Sequence, residues 1–500
     1  MQPDVKGDLI GGSFKINDEK SGVLKVYSPA DVTDLVYEGP YSYHHVDSAC
    51  LAAHKAQPKW QKIPNEERFS YLHRVAEILM ARKSELAEVI SREVGKPLWE
   101  SETEVNAMIG KVKITIEESM KLVSEETVPE ILPGLTGVTR YRARGVMAVL
   151  GPFNFPGHLP NGHIIPALAT GNTIVFKPSD KTPLTGQIIA EIMQAAELPE
   201  GVFNMIQGDA EVGRRLVVHE LIHGVLFTGS YTVGLKIKQE VLNQHWKILA
   251  LEMGGKNSSI VWKDANVEQA LNENLVSSFI TSGQRCSCTS RIFVHEKIYD
   301  DYLERFYEAT KKIEIGHWKE PVFMGSIISE AMVANYVRYQ EIALREGAKC
   351  IMRGKALEMS PSGYYVTPSI YEIPEYKTNS VYQKTELFSP NVAFYKVKDS
   401  ERDKMFHDIN HPGFGLALSV FTKDEELFQN TFQDVKVGLL NWNRGTAGAS
   451  SRLPFGGIGK SGNDRPSAHF AVKYCTVPVA CLEGTTDRTS SQNMPGISLY

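Results

Sequence analysis

Cysteine is scarce in this chain: six thiols (Cys50, Cys286, Cys288, Cys350, Cys475 and Cys481) are spread over 500 residues. That spacing excludes the disulfide framework of small secreted domains, and reduced thiols are expected. Only Cys286 and Cys288 are close neighbours, and their C-x-C lacks the second ligand pair of a structural zinc site. No H-E-x-x-H or comparable cluster occurs, so no metal is expected. No apolar run approaches the length of a membrane span, and the opening MQPDVKGDLIGGSF has no basic stretch followed by an apolar one. No membrane partner and a cytoplasmic location are the expectations. A basic stripe is missing too: the net charge is -5 with the signs interspersed, which argues against nucleic acid as the main partner. Internal repeats and low-complexity tracts are absent. What remains is 42% hydrophobic and 23% charged, enough at this length for two or three full cores.

From residue 66 to 94 apolar residues recur at helical spacing (Phe69, Leu72, Val75, Leu79, Leu86, Ile90), predicting one long amphipathic helix or two in sequence. From Val146 the pattern changes. Short apolar runs (VMAVL, TIVF, VFNMI, GVLF) alternate with helical stretches, which reads as successive βαβ units and a parallel sheet. A second α/β segment starts near Met253, with helices expected over 267–280 and 299–312. Two segments fit neither core. Residues 124–144 are rich in β-branched residues around a central Pro-Gly, as in a hairpin, and 471–482 reads as a strand. Both suggest sheet extension between subunits. The last residues, 483–500, are polar and read as a surface tail.

Ligands of an open parallel sheet sit beyond the carboxyl ends of its strands, so the loops after these strands matter most. GPFNFP (151–156) brackets Asn154 with prolines that fix the backbone; an amide on such a platform suits a developing oxyanion, or simply closes a turn. FKPSD (176–180) ends a strand with Lys177 and Asp180, which suit ribose hydroxyls or form a surface ion pair. FTGSYTVG (227–234) places Gly229, Ser230 and Gly234 at a strand-to-helix turn. The free N–H groups there suit a pyrophosphate, although glycines also open helices for packing. LALEMGGKN (249–257) ends an apolar strand on Glu252, a desolvated carboxyl suited to act as general base, or a turn cap. Downstream, SGQRCSC (282–288) puts Arg285 beside Cys286, and a guanidinium favours the thiolate that attacks carbonyls. A cysteine is otherwise a small core residue, the class assigned to Cys288. The polar Gly-Gln-Arg before Cys286 sets that thiol apart.

In this order and at these separations the motifs resemble those of the aldehyde dehydrogenase superfamily, from REVGKPLWE (92–100) to PFGGIGKSG (454–462). The resemblance implies an α/β fold of three parts: a Rossmann-like NAD(P)-binding domain (1–123 and 146–252), an α/β catalytic domain (253–452) and a small β oligomerisation element (124–145 and 470–482). It implies Cys286 as nucleophile, Glu252 as general base and Asn154 as oxyanion donor working with the backbone N–H of Cys286. Lys177 and Asp180 fall at the adenine-side ribose, and Gly229, Ser230 and Gly234 at the pyrophosphate turn. In TELFSP (385–390) Glu386 falls at the nicotinamide ribose, with Phe388 beside the ring, and Phe153 is placed on the cofactor side as well. Two positions depart from the family pattern, Ser389 for its usual Gly and Ser258 for a common Pro. The implied chemistry is oxidation of an aldehyde to the acid through a Cys286 thioester. Relatives that pass the acyl group to coenzyme A generally lack a base at the position of Glu252, so hydrolysis is expected.

GPFNFPGHLPNGHI (151–164), SGQRCSC, NWN (441–443) and GNDRPSAHFAVKYC (462–475) look like the branch acting on N-succinylglutamate 5-semialdehyde in arginine catabolism. The carboxylates of that substrate call for a cationic pocket, best supplied by arginine. Arg285, Arg452 and Arg465 are the candidates, ahead of His158 and His163. Asp180 would repel a 2′-phosphate and favours NAD, with Lys181 leaving NADP open. A homodimer or homotetramer is expected. The rival readings are an aldehyde dehydrogenase for another semialdehyde and a silent binding protein of the same fold, whose mark would be a missing nucleophile, base or amide.

Overall fold

The computed structural model describes residues 4–16, 19–132, 134–484 and 496. The apolar runs that begin at Val146 become five parallel strands, because each is buried on both faces. Val146–Leu150 pairs with Thr173–Lys177 on one side and Gly224–Gly229 on the other. Phe203–Met205 and Ile248–Met253 extend the sheet at its two ends. Alternation within one strand sorts its side chains into two cores: Met147 and Val149 join one, Val146 and Ala148 the other. The antiparallel strands Asp8–Ile10 and Ser13–Lys15 complete seven strands.

A second seven-stranded sheet follows the same logic. Its central strands are Asn257–Val261, Thr289–His295 and Asn391–Val397, and only Lys349–Met352 at one edge runs antiparallel. The helices expected over 267–280 and 299–312 are Val267–Phe279 and Tyr299–Thr310. The periodic stretch 66–94 is two helices, Asn65–Ala81 and Lys83–Val94.

The two segments outside the cores pair with each other. Leu135–Ala143 is the middle of a three-stranded antiparallel sheet, between Glu126–Leu132 and Thr476–Gly484. The strand expected over 471–482 is corrected at its start: Ala471–Cys475 is a short helix, and the strand begins at Thr476. The reason is burial. Ala471, Val472, Tyr474 and Cys475 are all inside, and successive residues of a strand would have sent half of them to the opposite face. Residues 483–484, expected in the tail, belong to this strand, while 485–495 and 497–500 lie outside the described residues.

Candidate active site

The loop bearing Cys286 follows the helix Val267–Phe279 through three consecutive residues with left-handed backbone, Thr281, Ser282 and Gly283 (φ 55°, 53° and 74°). Such strain persists only where neighbours over-determine it. Ser282 Oγ donates to the Gly325 carbonyl at 2.8 Å, and Gln284 Oε1 accepts the Ile328 N–H at 3.0 Å. Asn257 Nδ2, on the central strand of the second sheet, donates to the carbonyls of Cys286 (2.6 Å) and Cys288 (2.9 Å). Gly255 must lack a side chain, since a Cβ would lie 2.7 Å from the Cys286 carbonyl oxygen.

The thiol of Cys286 is half-buried. Burial pushes its pKa up to about 12, with the carboxyls of Glu386 and then Glu252 adding to the rise. Arg285 lowers the thiol pKa as expected, although burial and the two carboxyls outweigh it. Arg285 is committed elsewhere, its Nη2 donating to the buried Glu100 at 2.8 Å and its Nε to Thr281 Oγ1 at 2.7 Å.

Asn154 is buried, and its side-chain amide donates one N–H to the Gln284 carbonyl at 2.8 Å, with no second acceptor among the described residues. Its own carbonyl accepts from Lys96 Nζ at 3.0 Å. Lys96 is paired with Glu104, whose other oxygen accepts the N–H groups of Gly157 and His158 at 2.9 Å each and so caps the helix His158–Ala169. Glu252 ends the strand Ile248–Met253 only 5% exposed, and its Oε2 has no hydrogen-bond partner. Burial holds its pKa well above the carboxylate range, opposed by the N–H groups of Ser467 and Gly457. Asn154, Glu252 and Cys286 line one cavity of about 150 Å³.

Lys177 ends its strand buried, with Nζ donating to the Pro178 carbonyl at 3.0 Å; burial lowers its pKa to about 8 despite Asp180, Asp209 and Asp8. Asp180 is exposed, 3.5 Å from Lys181. Ser230 caps the helix Tyr231–Glu240, accepting the Val233 N–H at 3.3 Å, with Gly229 just before it. Gly234 allows that helix to approach the sheet, since a Cβ there would lie 2.4 Å from Met253 Sδ. Glu386 Oε1 accepts the Gly255 N–H at 2.8 Å, and burial raises its pKa to about 7. Phe388 (φ 51°) meets Phe153 edge to face at 5.9 Å and lines a cleft shared with Glu386.

Of the three candidate arginines, Arg285 alone lines the cavity. Arg452 is 67% exposed and paired with Glu118 at 2.8 Å, and Arg465 is exposed with its Nη1 on the Asp464 carbonyl. His158 and His163 are in the lining, both kept neutral by burial, with pKa values down to about 4 and about 3. Sequence reading missed Lys96, Glu100, Glu104 and Lys111. Glu100, Glu104 and Lys111 recur at helical spacing along the buried face of Leu98–Glu117, a charged stripe that was the available signal.

The model of the aldehyde dehydrogenase family matches residues 16–479. The chain belongs to that family. It is 40% identical over 461 residues to an N-succinylglutamate 5-semialdehyde dehydrogenase of Serratia proteamaculans, covering 91% of each chain. It is 37% identical over 500 residues to one of Legionella pneumophila, covering 99% of this chain and 98% of that one. Among solved structures, an NAD-dependent aldehyde dehydrogenase from Sinorhizobium meliloti superposes with a TM-score of 0.92 at 25% identity, over 98% of this chain and 96% of that one. An NADP-dependent enzyme of E. coli does so with a TM-score of 0.90 at 28% identity, over 96% and 98%. The protein is thus an NAD(P)-dependent aldehyde dehydrogenase with the expected α/β fold. Among the described residues no helix is long and apolar enough to cross a membrane, and no His, Cys, Asp and Glu cluster could hold a metal ion.

Proposed function

We propose that this aldehyde dehydrogenase oxidises N-succinyl-L-glutamate 5-semialdehyde to the acid, with Cys286 as nucleophile, Glu252 as general base and Asn154 as oxyanion donor. The observation that carries the reading is that these three side chains, 98 to 132 residues apart for Asn154 and the other two, line one cavity. The Cys286 thiol gives its proton to solvent water, and the sulfur adds to the aldehyde carbon. The resulting oxyanion accepts the second N–H of Asn154 and the backbone N–H of Cys286. A bound nicotinamide dinucleotide supplies the acceptor for the hydride that leaves this carbon. Cys286 then carries the acyl group as a thioester. Glu252 takes a proton from water, the hydroxide adds to the thioester carbon, and the C–S bond breaks to release the acid and the thiol. Burial raises the pKa of Glu252, which makes its carboxylate a stronger base toward water. Loss of the Asn154 donor is expected to cost about 3 to 4 kcal/mol of transition-state stabilisation.

Lys177 fits a ribose, since its buried ammonium has one carbonyl partner and two N–H groups left for hydroxyls. Asp180 beside it favours NAD over NADP. Ser230 and Gly229 at the helix start would face the pyrophosphate, and Glu386 with Phe388 and Phe153 the nicotinamide end. Residues 1–123 with 146–252 form the dinucleotide-binding domain and 253–452 the catalytic domain. The three-stranded sheet joins subunits into a homodimer or homotetramer.

The test is NADH formation with succinylglutamate, glutamate and succinate semialdehydes, repeated with Cys286→Ala. Preference for the first and a dead mutant that still binds dinucleotide are expected. An equal rate with all three removes the substrate assignment, and an active mutant removes the covalent route.

A further inference from the structure

Lys111 is a cation in the cavity that none of the described residues neutralises. It lies on the helix Leu98–Glu117, is 1% exposed, and lines the same cavity as Cys286 and Glu252. Its Nζ donates to the Ala468 carbonyl at 2.6 Å, and among the described residues it has no ion-pair partner within 4 Å. A buried ammonium is ordinarily paired, because taking it from water is costly without a counter-charge. Two cations beside this cavity do have such a partner, buried Lys96 with Glu104 and half-buried Arg285 with Glu100. Ala468 itself has left-handed backbone (φ 56°), and it lines the cavity together with its neighbour Ser467. One dipeptide therefore borders the cavity of Glu252 and also holds the unpaired ammonium. The hydroxyl-bearing Ser450 and Ser451 line the same wall.

The geometry points to Lys111 as the residue that anchors a carboxylate of the aldehyde substrate, holding the chain so that its far end reaches Cys286. This rests on the proposed oxidation of a carboxylate-bearing semialdehyde and assigns the cationic role to lysine in place of the arginines that sequence suggested. An ammonium binds a carboxylate as a point charge with rotatable donors, which suits a flexible aliphatic substrate. Lys111 keeps its charge in neutral solution, since burial lowers its pKa only to about 8.

The groups facing it are His158, His163 and His469, which stay neutral in the same range because their pKa values are lowered, and Cys475, whose thiol is pushed well up. Raising the pH through about 8 is therefore expected to discharge Lys111 and to raise KM for the free acid.

The experiment compares N-succinylglutamate 5-semialdehyde with its dimethyl ester in the wild type, Lys111→Met and Lys111→Arg. Loss of one charge-assisted hydrogen bond predicts a KM about 10- to 100-fold higher for the free acid in K111M. The ester should change less than about threefold, kcat should hold for both, and K111R should recover most of the loss. A K111M enzyme that still prefers the free acid overturns the role of Lys111 and leaves the substrate reading standing. A wild type that uses acid and ester alike overturns both. Should K111M fail to fold, the wild-type pH series decides: a free-acid KM that stays flat while the ester KM also stays flat overturns the proposal, and a rise confined to the free acid supports it.

Discussion

Burial and two neighbouring carboxyls push the pKa of the Cys286 thiol up. A carboxylate nearby makes a second negative charge costlier, so both Glu386 and Glu252 hold the thiol protonated, on top of the burial that dominates. Removing a negative neighbour must lower the thiol pKa. In the enzyme free of dinucleotide, alkylation of the Cys286 peptide by iodoacetamide is expected to keep accelerating with pH well into the alkaline range. Glu386→Gln should shift that curve to lower pH, and Glu252→Gln should do so by less, following the order of their effects. Mass spectrometry separates the peptide from that of the exposed Cys350. A wild-type midpoint below about 8, the region of an unperturbed thiol, would contradict this account of the site.

At the scale of elements, the helix Leu98–Glu117 does what no single motif announces. Through Glu104 it caps the helix His158–Ala169 and holds Lys96, which donates to the Asn154 carbonyl, and through Glu100 it fixes Arg285. Glu104→Ala leaves the Lys96 ammonium buried with only the Asn154 carbonyl and the Phe155 ring and no counter-charge, which should destabilise the fold by about 3 to 5 kcal/mol in urea titrations. Lys96→Met should cost less, because Glu104 keeps two backbone N–H groups. The opposite order would refute this view of the pair.

This helix also marks where sequence reading stops. The parallel strands were legible because burial on both faces makes them continuous apolar runs, and the site loops because they end those strands. A helix whose buried face carries Glu100, Glu104 and Lys111 reads as solvent-facing, since charge is ordinarily the sign of exposure. The short run 471–475 misled for a related reason: periodicity cannot separate a buried turn of helix from a strand over so few residues. The distant pairing of Arg285 with Glu100 lay outside any local pattern.

For the whole molecule, the unsettled surface is the three-stranded sheet. Its outer strand Glu126–Leu132 is exposed at all seven positions, and Val128 (53% exposed) and Leu482 (63% exposed) stand out as apolar side chains on the sheet. An edge strand of that kind offers unpaired N–H and C=O groups to another chain, and soluble monomers ordinarily protect such an edge with charge or cover. Flanking Arg140 is already tied to Glu125 and Glu483, so it does not screen the apolar positions. A second copy of this chain, offering the same face, would cover them in a closed symmetric contact. Sedimentation of the wild type is therefore expected to give a multiple of 55.7 kDa. Val128→Lys with Leu482→Lys should move it toward the single-chain mass while the unfolding transition of the two cores holds its position. A wild type that sediments as a single chain at micromolar concentration would remove the assembly role from this sheet.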